Sequence, residues 1–338
     1  MNVPAVNQPG LQQWALVIPV FDDWATVAAL LAEIDQTASL VDTTFHAILV
    51  NDGSYAPDRH EFDPAGYRRI PCIETLNLVC NLGHQRAIAV GLVAAAALPH
   101  VAGVVVMDGD GEDRPKDIPV LLRAAAQPPG YIICARRRER SEPRLFRVSY
   151  WAYKVIFRVL TGNVIAFGNF CLIRRSALNN VIHNPATWNH LAASILQSRI
   201  PVIGADTIRG RRLAGETKMN FISLLLHGMS AISVYAELVM IRIVLATLGI
   251  AGLTVVGIAI VTSVRLFTSY AIPGWASTVF GSLAVILTQL LVFATIAAFT
   301  LLNARSTKPT IPALDAMQFV ESHEVASPET VHATGNIP

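Results

Sequence analysis

Over the first two hundred residues, short apolar runs alternate with helix-length stretches and polar turns. Residues 14–19 form a short apolar run that predicts a buried strand, and 24–38 follow with helical periodicity. A second strand, 46–50, ends at the turn Asn51-Asp52-Gly53-Ser54, and 73–76 predicts a third. Residues 84–97 are alanine-rich and predict a helix stopped by Pro99. Residues 103–107 predict a fourth strand, running into Asp108-Gly109-Asp110; a helix over 118–126 and a fifth strand over 131–135 follow. This alternation predicts an α/β domain of the Rossmann-like kind, with a mostly parallel, doubly wound sheet. Such sheets bind ligands at the carboxyl ends of their strands, where both polar turns lie.

The pattern then changes. Residues 145–160 combine Phe146, Tyr150, Trp151, Tyr153 and Phe157 with Arg147, Lys154 and Arg158, whose offsets of 7 and 11 put the cations on one helical face. That suits either a membrane-interface helix or a core helix with one solvated face. Residues 220–235 mix leucines with serines and a histidine and read as an amphipathic helix along a membrane. Residues 243–264 carry no charge over 22 positions, about 33 Å of helix and enough to cross a hydrocarbon core. Residues 275–302 form a second uncharged stretch, and the link at 265–274 holds Pro273 and Gly274. The division expected is a catalytic domain at 1–217, a juxtamembrane helix at 218–241, a hairpin of two transmembrane helices at 242–304, and a flexible tail at 305–338. Lys218, Arg242, Arg305 and Lys308 flank the outer ends of the hairpin against Arg265 alone in the link, which places both ends in the cytoplasm.

Composition agrees with membrane spans: 53% of the 338 residues are hydrophobic and 15% charged. A net charge of +2 argues against a generic nucleic-acid binder. Cys72, Cys80, Cys134 and Cys171 are scattered without a C-x-x-C pair, which favours neither a zinc cluster nor a disulfide framework and fits a reducing compartment. Residues 1–10 lack the basic start of a signal peptide, so the N-terminal part is expected in the cytoplasm.

The candidate chemistry sits at Asp108-Gly109-Asp110-Gly111-Glu112-Asp113. Four carboxylates within six residues repel one another unless a cation neutralises them. Oxygen-only ligands select Mg²⁺ or Mn²⁺, ions that usually complete their shell with substrate phosphates. A solvated acidic turn is the plain alternative. Asp52 offers a carboxylate to a base or ribose, or merely shapes an Asx turn. The turn Asn81-Leu82-Gly83-His84-Gln85 opens a helix whose N-terminus can face an anion. Arg136, Arg137 and Arg138 follow the fifth strand as phosphate ligands or as a solvated charge run.

These blocks together resemble the family 2 glycosyltransferases of the GT-A fold, and among them the membrane-anchored polyprenyl-phosphate glycosyltransferases such as dolichol-phosphate mannose synthase. The matching pieces are Val17-Ile18-Pro19-Val20-Phe21, Val50-Asn51-Asp52-Gly53-Ser54, Asn81-Leu82-Gly83-His84-Gln85 and the run from Asp108 to Pro115. Gly168-Asn169-Phe170-Cys171-Leu172-Ile173-Arg174-Arg175 and Arg212-Leu213-Ala214-Gly215-Glu216-Thr217-Lys218 complete them, so that the resemblance covers roughly 14–235. It implies a nucleotide-sugar site on Pro19, Asp52, Gly83, Gln85, Asp108, Gly109, Asp110 and Arg136. It implies Mg²⁺ or Mn²⁺ on Asp110, Glu112 and Asp108, and an acceptor phosphate on Arg212, Lys218 and Arg147. Asp108, Asp110, Arg212 and Lys218 would carry catalysis. Three positions depart from the pattern: Asn51 replaces a common Asp, Gly111-Glu112 replaces Leu-Gln, and Asn169 stands where relatives often have Asp. The Gln-x-x-Arg-Trp motif of processive synthases is absent, which disfavours a polysaccharide synthase.

From Pro143 to Ala205 there is no Asp or Glu. A hydroxyl acceptor needs a base, which would have to come from the early carboxylates or His190. A phosphate acceptor is already an anionic nucleophile at neutral pH. The reading is therefore an inverting, metal-dependent transfer of a sugar from a nucleotide sugar to a polyprenyl phosphate at the cytoplasmic face of a bacterial inner membrane, with membrane lipids around the hairpin and a homo-oligomer left open. Transfer to a lipid hydroxyl, and a sugar-nucleotide-binding subunit without turnover, stay as alternatives.

Overall fold

In the computed structural model, the described residues are 12–55, 62–126, 130–137, 144–208, 210, 212, 228–268 and 274–327, with backbone alone at 137 and 144–152. The chain divides into two units: Met1–Lys154 with Asn163–Val234 and Thr310–Pro338, and Val155–Gly162 with Tyr235–Pro309.

The first unit is an eight-stranded sheet in the order β7-β5-β6-β4-β1-β2-β3-β8. Its strands are β1 (Gln12–Val20), β2 (Thr43–Asn51), β3 (Cys72–Leu78), β4 (Gly103–Val106), β5 (Ile132–Arg137), β6 (Cys171–Arg174), β7 (Val202–Thr207) and β8 (Val320–Ala326). β1 pairs in parallel with β2 and β4, β2 with β3, and β5 with β7. β6 runs antiparallel between β4 and β5. Both faces are covered. Ala15 and Val17 point to the side of α2 (His84–Ala97) and α5 (Arg175–Ile182), whereas Leu16 and Ile18 point to the side of α1 (Trp24–Ser39) and α3 (Ile118–Ala124). Burial on both faces explains the unbroken apolar runs of the central strands. Further helices among the described residues include α4 (Arg144–Thr161), α6 (Leu191–Gln197), α7 (Ala236–Phe267), α8 (Trp275–Ser306) and α9 (Pro312–Asp315). The division between the units falls inside α4.

The expected flexible tail is corrected here. Residues 312–326 form α9, a 3-10 turn at Ala316–Phe319 and β8, which pairs antiparallel with β3. Ala316 is buried, and the Phe319 ring lies 5.3 Å from that of Trp188. β8 is an edge strand with mostly exposed residues, so it lacks the alternation that marks a half-buried strand. Its attachment is polar: Asn77 Nδ2 donates to Ser322 Oγ and to Glu324 Oε1, both at 2.9 Å. The catalytic unit accordingly does not end at residue 217 but resumes after the hairpin. Half of the expected helix at 220–235, residues 220–227, lies outside the described residues; 228–233 are helical.

In the second unit, α7 and α8 are each 32 residues long, about 48 Å, and contain the predicted spans 243–264 and 275–302. Their most apolar windows have mean hydropathies of 2.5 and 2.3 and are 17% and 6% buried. A soluble protein's core helix would be mostly covered, so these surfaces are built for an apolar surrounding. The hydroxyls of Thr247, Thr254, Thr288 and Thr295 each donate to a carbonyl one turn back at 2.8–2.9 Å, leaving no hydroxyl proton facing hydrocarbon. Arg305 makes a two-pronged contact with Glu237 at 3.1–3.2 Å, joining the open ends of the helix pair. Arg242 donates to the carbonyls of Val159 and Leu160 at 2.8 Å, satisfying acceptors at the end of α4.

Candidate active site

Four loops meet at the carboxyl ends of β1, β2, β3 and β4, with the segment entering β6 beside them because Cys171 pairs with Val106. The acidic loop after β4 is shaped from within. The Asp108 N–H donates to Asp113 Oδ2 at 3.1 Å, and the Glu112 N–H to Asp110 Oδ1 at 2.9 Å. Asp113 is buried and turns the loop, while Asp108, Asp110 and Glu112 are partly exposed at its outer rim. A Cβ at Gly109 would stand 3.1 Å from the Pro19 carbonyl, tighter than an ordinary contact, so glycine eases the close approach of the loop to β1. Pro19 and Gly109, both assigned to the donor site by the resemblance, thus meet backbone to backbone.

Arg212 reaches this loop from far along the chain. Its guanidinium is 3.1 Å from Asp23 Oδ2 and 3.8 Å from Asp110 Oδ2. The approach is set by Gly210, whose N–H donates to the Glu112 carbonyl at 2.8 Å, and by Asp117, whose carboxylate accepts from the Ile208 N–H at 3.3 Å. Burial pushes the Asp110 carboxyl above its usual range, and the charges of Asp108 and Glu112 add to the rise; the Glu112 N–H and Arg212 oppose it. A group that resists ionisation because of desolvation and like charge is a group that gains from a bound cation. Three carboxylates within one loop offer oxygen donors, a set that fits Mg²⁺ or Mn²⁺.

The turn after β3 forms the opposite wall. Asp52 is buried and accepts from the Leu82 N–H at 2.7 Å and the Gly83 N–H at 3.0 Å, holding the start of α2 in place. Burial raises its pKa against those two hydrogen bonds. The carboxylate assigned to the nucleoside is therefore also the anchor of the neighbouring loop. Gly53, at φ 71°, lets the two turns touch, since a Cβ there would stand 2.6 Å from the Asn81 nitrogen. His84 Nε2 lies 3.1 Å from Asp108 Oδ1 and 3.0 Å from Asn169 Nδ2. Gln85 donates to Asn169 Oδ1 at 3.1 Å and accepts from the Leu191 N–H at 2.8 Å. Desolvation alone would lower the His84 pKa, but Asp108, Asp110 and Asp52 outweigh it and the net shift is upward.

Asn51, one of the departures, donates to Asn77 Oδ1 at 2.9 Å and accepts from the Ser54 N–H at 3.0 Å. An ionised Asp could not make the first of these bonds. His190 is buried and caps α6, its Nδ1 accepting from the Ala193 N–H at 3.3 Å, so one of its ring nitrogens is engaged in a helix cap.

The fold thus brings Pro19, Asp52, Gly83, Gln85, Asp108, Gly109, Asp110, Glu112 and Arg212 to one end of the sheet. Arg136 extends from the end of β5 and lies along β7, close to Gly204. Lys218 and the side chain of Arg147 lie outside the described residues. Two members of the site were missed from sequence: His84, although its motif was noticed, and Asp23, which follows Phe21-Asp22 with no spacing that ties it to residue 212.

Comparison with known proteins agrees with this architecture. The family described as Glycosyl transferase family 2 matches residues 15–182. An uncharacterized glycosyltransferase, YkcC, of Bacillus subtilis is 24% identical over 272 residues, covering 78% of this chain and 81% of its own. The undecaprenyl-phosphate 4-deoxy-4-formamido-L-arabinose transferase of Klebsiella pneumoniae is 25% identical over 234 residues, covering 65% of this chain and 66% of its own. Among solved structures, mannosyl-3-phosphoglycerate synthase from Rubrobacter xylanophilus aligns with a TM-score of 0.48 at 15% identity over 68% of this chain and 74% of that one. Residues 15–182 thus carry a family 2 glycosyltransferase domain, built on the α/β sheet described above, and the chain is a glycosyltransferase.

Proposed function

We propose that this glycosyltransferase moves a sugar from a nucleotide-sugar donor to a polyprenyl phosphate at the inner face of a bacterial membrane, with inversion at the anomeric carbon. The observation that carries the reading is Arg212 beside Asp110, a cation and a carboxylate rim together at the strand ends, in a chain that also has an apolar hairpin. The Klebsiella relative, by its name, acts on undecaprenyl phosphate.

Asp108, Asp110 and Glu112 would hold Mg²⁺ or Mn²⁺, which supplies charge neutralisation to a diphosphate when bound. The Pro19–Gly109 contact and the turns held by Asp52 form the floor on which the nucleotide lies. Arg212, steadied by Asp23, places a fixed positive charge where the leaving diphosphate gains negative charge. The acceptor phosphate attacks as an anion, consistent with the absence of Asp and Glu from 143 to 205 and with His190 serving as a cap. Lys218 and Arg147 are proposed as further contacts to the acceptor phosphate.

One topological fact supports the membrane arrangement. β8 follows the hairpin in the chain yet pairs with β3, which precedes it, so the chain must re-emerge on the side from which it entered. Two spans satisfy this and one would not. Anchoring holds the enzyme where the lipid acceptor is concentrated.

The test is a donor screen. Membranes containing the protein receive labelled nucleotide sugars, and lipids are extracted. An acid-labile labelled lipid formed only with Mg²⁺ or Mn²⁺ is the expected result. An acid-stable glycolipid would replace the phosphate acceptor by a hydroxyl, and binding without lipid product would mark a subunit without turnover.

A further inference from the structure

We infer that the chain has a second divalent-cation site, of the zinc class, formed by His46, Cys72 and Glu74 at the amino ends of β2 and β3. Pairing of His46 with Cys72 and of Ile48 with Glu74 puts the three side chains on one face of two neighbouring strands. A ring nitrogen, a thiol sulfur and a carboxylate oxygen from these residues all lie within 4.8 Å of one another. All three residues are buried, at 2%, 7% and 3% exposure. A zinc ion at its usual bond lengths separates its donors by roughly 3.3–3.8 Å, so small side-chain rotations close the set.

The donor chemistry distinguishes this place from the acidic loop. Nitrogen and sulfur donors select zinc, cobalt or nickel, whereas the oxygen rim at Asp108–Glu112 selects magnesium or manganese. The two are also far apart: from His46 to Asn51, at the other end of β2, is about 17 Å of strand. A buried Glu–His hydrogen bond, here 2.8 Å from His46 Nε2 to Glu74 Oε1, needs no thiol beside it.

His323, on β8, completes the arrangement. Its Nε2 lies 3.2 Å from Glu74 Oε2, the oxygen not bonded to His46. This is the outer partner that metal-binding carboxylates usually have, and it orients Glu74 toward the ion. Because His323 comes from the strand that follows the hairpin, ion binding and attachment of the C-terminal segment reinforce each other. Binding is an exchange in which the ion enters and the Cys72 proton leaves to solvent.

The experiment uses the full chain, purified in detergent without chelator and without a metal-affinity step. Elemental analysis should find one equivalent of a zinc-class ion, and exchange into cobalt should produce the thiolate-to-cobalt charge-transfer band. Cys72→Ser should lose that band and His46→Gln the ion. His323→Ala should weaken binding by about 10–100-fold and expose the C-terminal segment to protease. Asp110→Asn should leave zinc content unchanged, separating this site from the catalytic one. Wild-type protein that takes up neither zinc nor cobalt at equilibrium, or a Cys72→Ser protein that keeps the cobalt band, overturns the assignment.

Discussion

The Arg212 guanidinium stands 3.8 Å from the Asp110 carboxylate, although the two residues are 102 positions apart in the chain. Asp23 holds the other side of the same guanidinium at 3.1 Å. The arginine is thus positioned before any substrate arrives, which is the condition for electrostatic stabilisation without reorganisation.

Arg212→Ala should lower kcat/KM by about 10²–10³-fold with saturating divalent ion. Arg212→Lys should recover little, because an ammonium cannot span Asp23 and Asp110 as a planar fork does. Asp23→Asn should give a smaller loss than either. Steady-state transfer to a soluble short-chain polyprenyl phosphate measures all three, and full activity in Arg212→Ala would remove this residue from the site.

Asp113 turns the acidic loop through the Asp108 N–H. Asp113→Ala should therefore raise the Mg²⁺ concentration needed for half-maximal rate while the fold persists. A metal titration of activity, with circular dichroism as the control, checks it. Gly109→Ala should be harsher, since its added carbon meets the Pro19 carbonyl at 3.1 Å.

His84 Nε2 lies between Asp108 Oδ1 and Asn169 Nδ2, and when it carries a proton it donates to Asp108. His84→Ala removes a hydrogen bond to a charged group, an effect of about 1.5–3 kcal/mol, and should cost roughly 10–100-fold in rate. His84→Gln, which keeps a donor, should lie between. Equal rates in all three proteins would show that this contact has no part in transfer.

Glu74 gives a pH dependence with a definite sign. Burial works to raise its pKa, but the hydrogen bonds and charges of His46 and His323 outweigh that and hold it below the ordinary 4.5. The folded value lies under the unfolded one, so folding favours the ionised form. The stabilisation is complete above about pH 4.5 and is lost as the pH falls through the folded value. Thermal melting of wild type and Glu74→Gln across pH 3–6 should show the steeper acid loss in wild type.

Removal of residues 310–338 should destabilise the catalytic unit although it leaves the hairpin whole. The truncation uncovers the edge of β3, the Trp188 ring and the polar set of Asn77 and Glu74. A lower melting temperature and increased aggregation are expected. An unchanged melting curve would mean that β8 contributes nothing to stability.

Most of the sheet could be read directly. The central strands are buried on both faces, and uninterrupted apolar runs such as 14–19 and 103–107 follow from that. β6 and β7 were harder. β6 is four residues long, and four of the six residues of β7 are exposed or partly so, so neither shows a clear period. β8 looked like a polar tail because its pairing is with a strand some 245 positions away, through side chains that solvent would hold equally well.

The sequence by itself determined which segments are apolar, with what period, and that a carboxylate cluster ends a buried strand. It thereby determined the α/β core, the uncharged hairpin and a carboxylate set suited to a hard cation. Tertiary structure alone decided which distant residues share a place: Asp23 with Arg212, His84 with Asn169, and His46 and Glu74 with His323. Periodicity records how each segment meets solvent or core along its own length, whereas these contacts depend on how separate segments are set beside one another. That placement comes from the packing of the whole sheet and leaves no local mark on the chain.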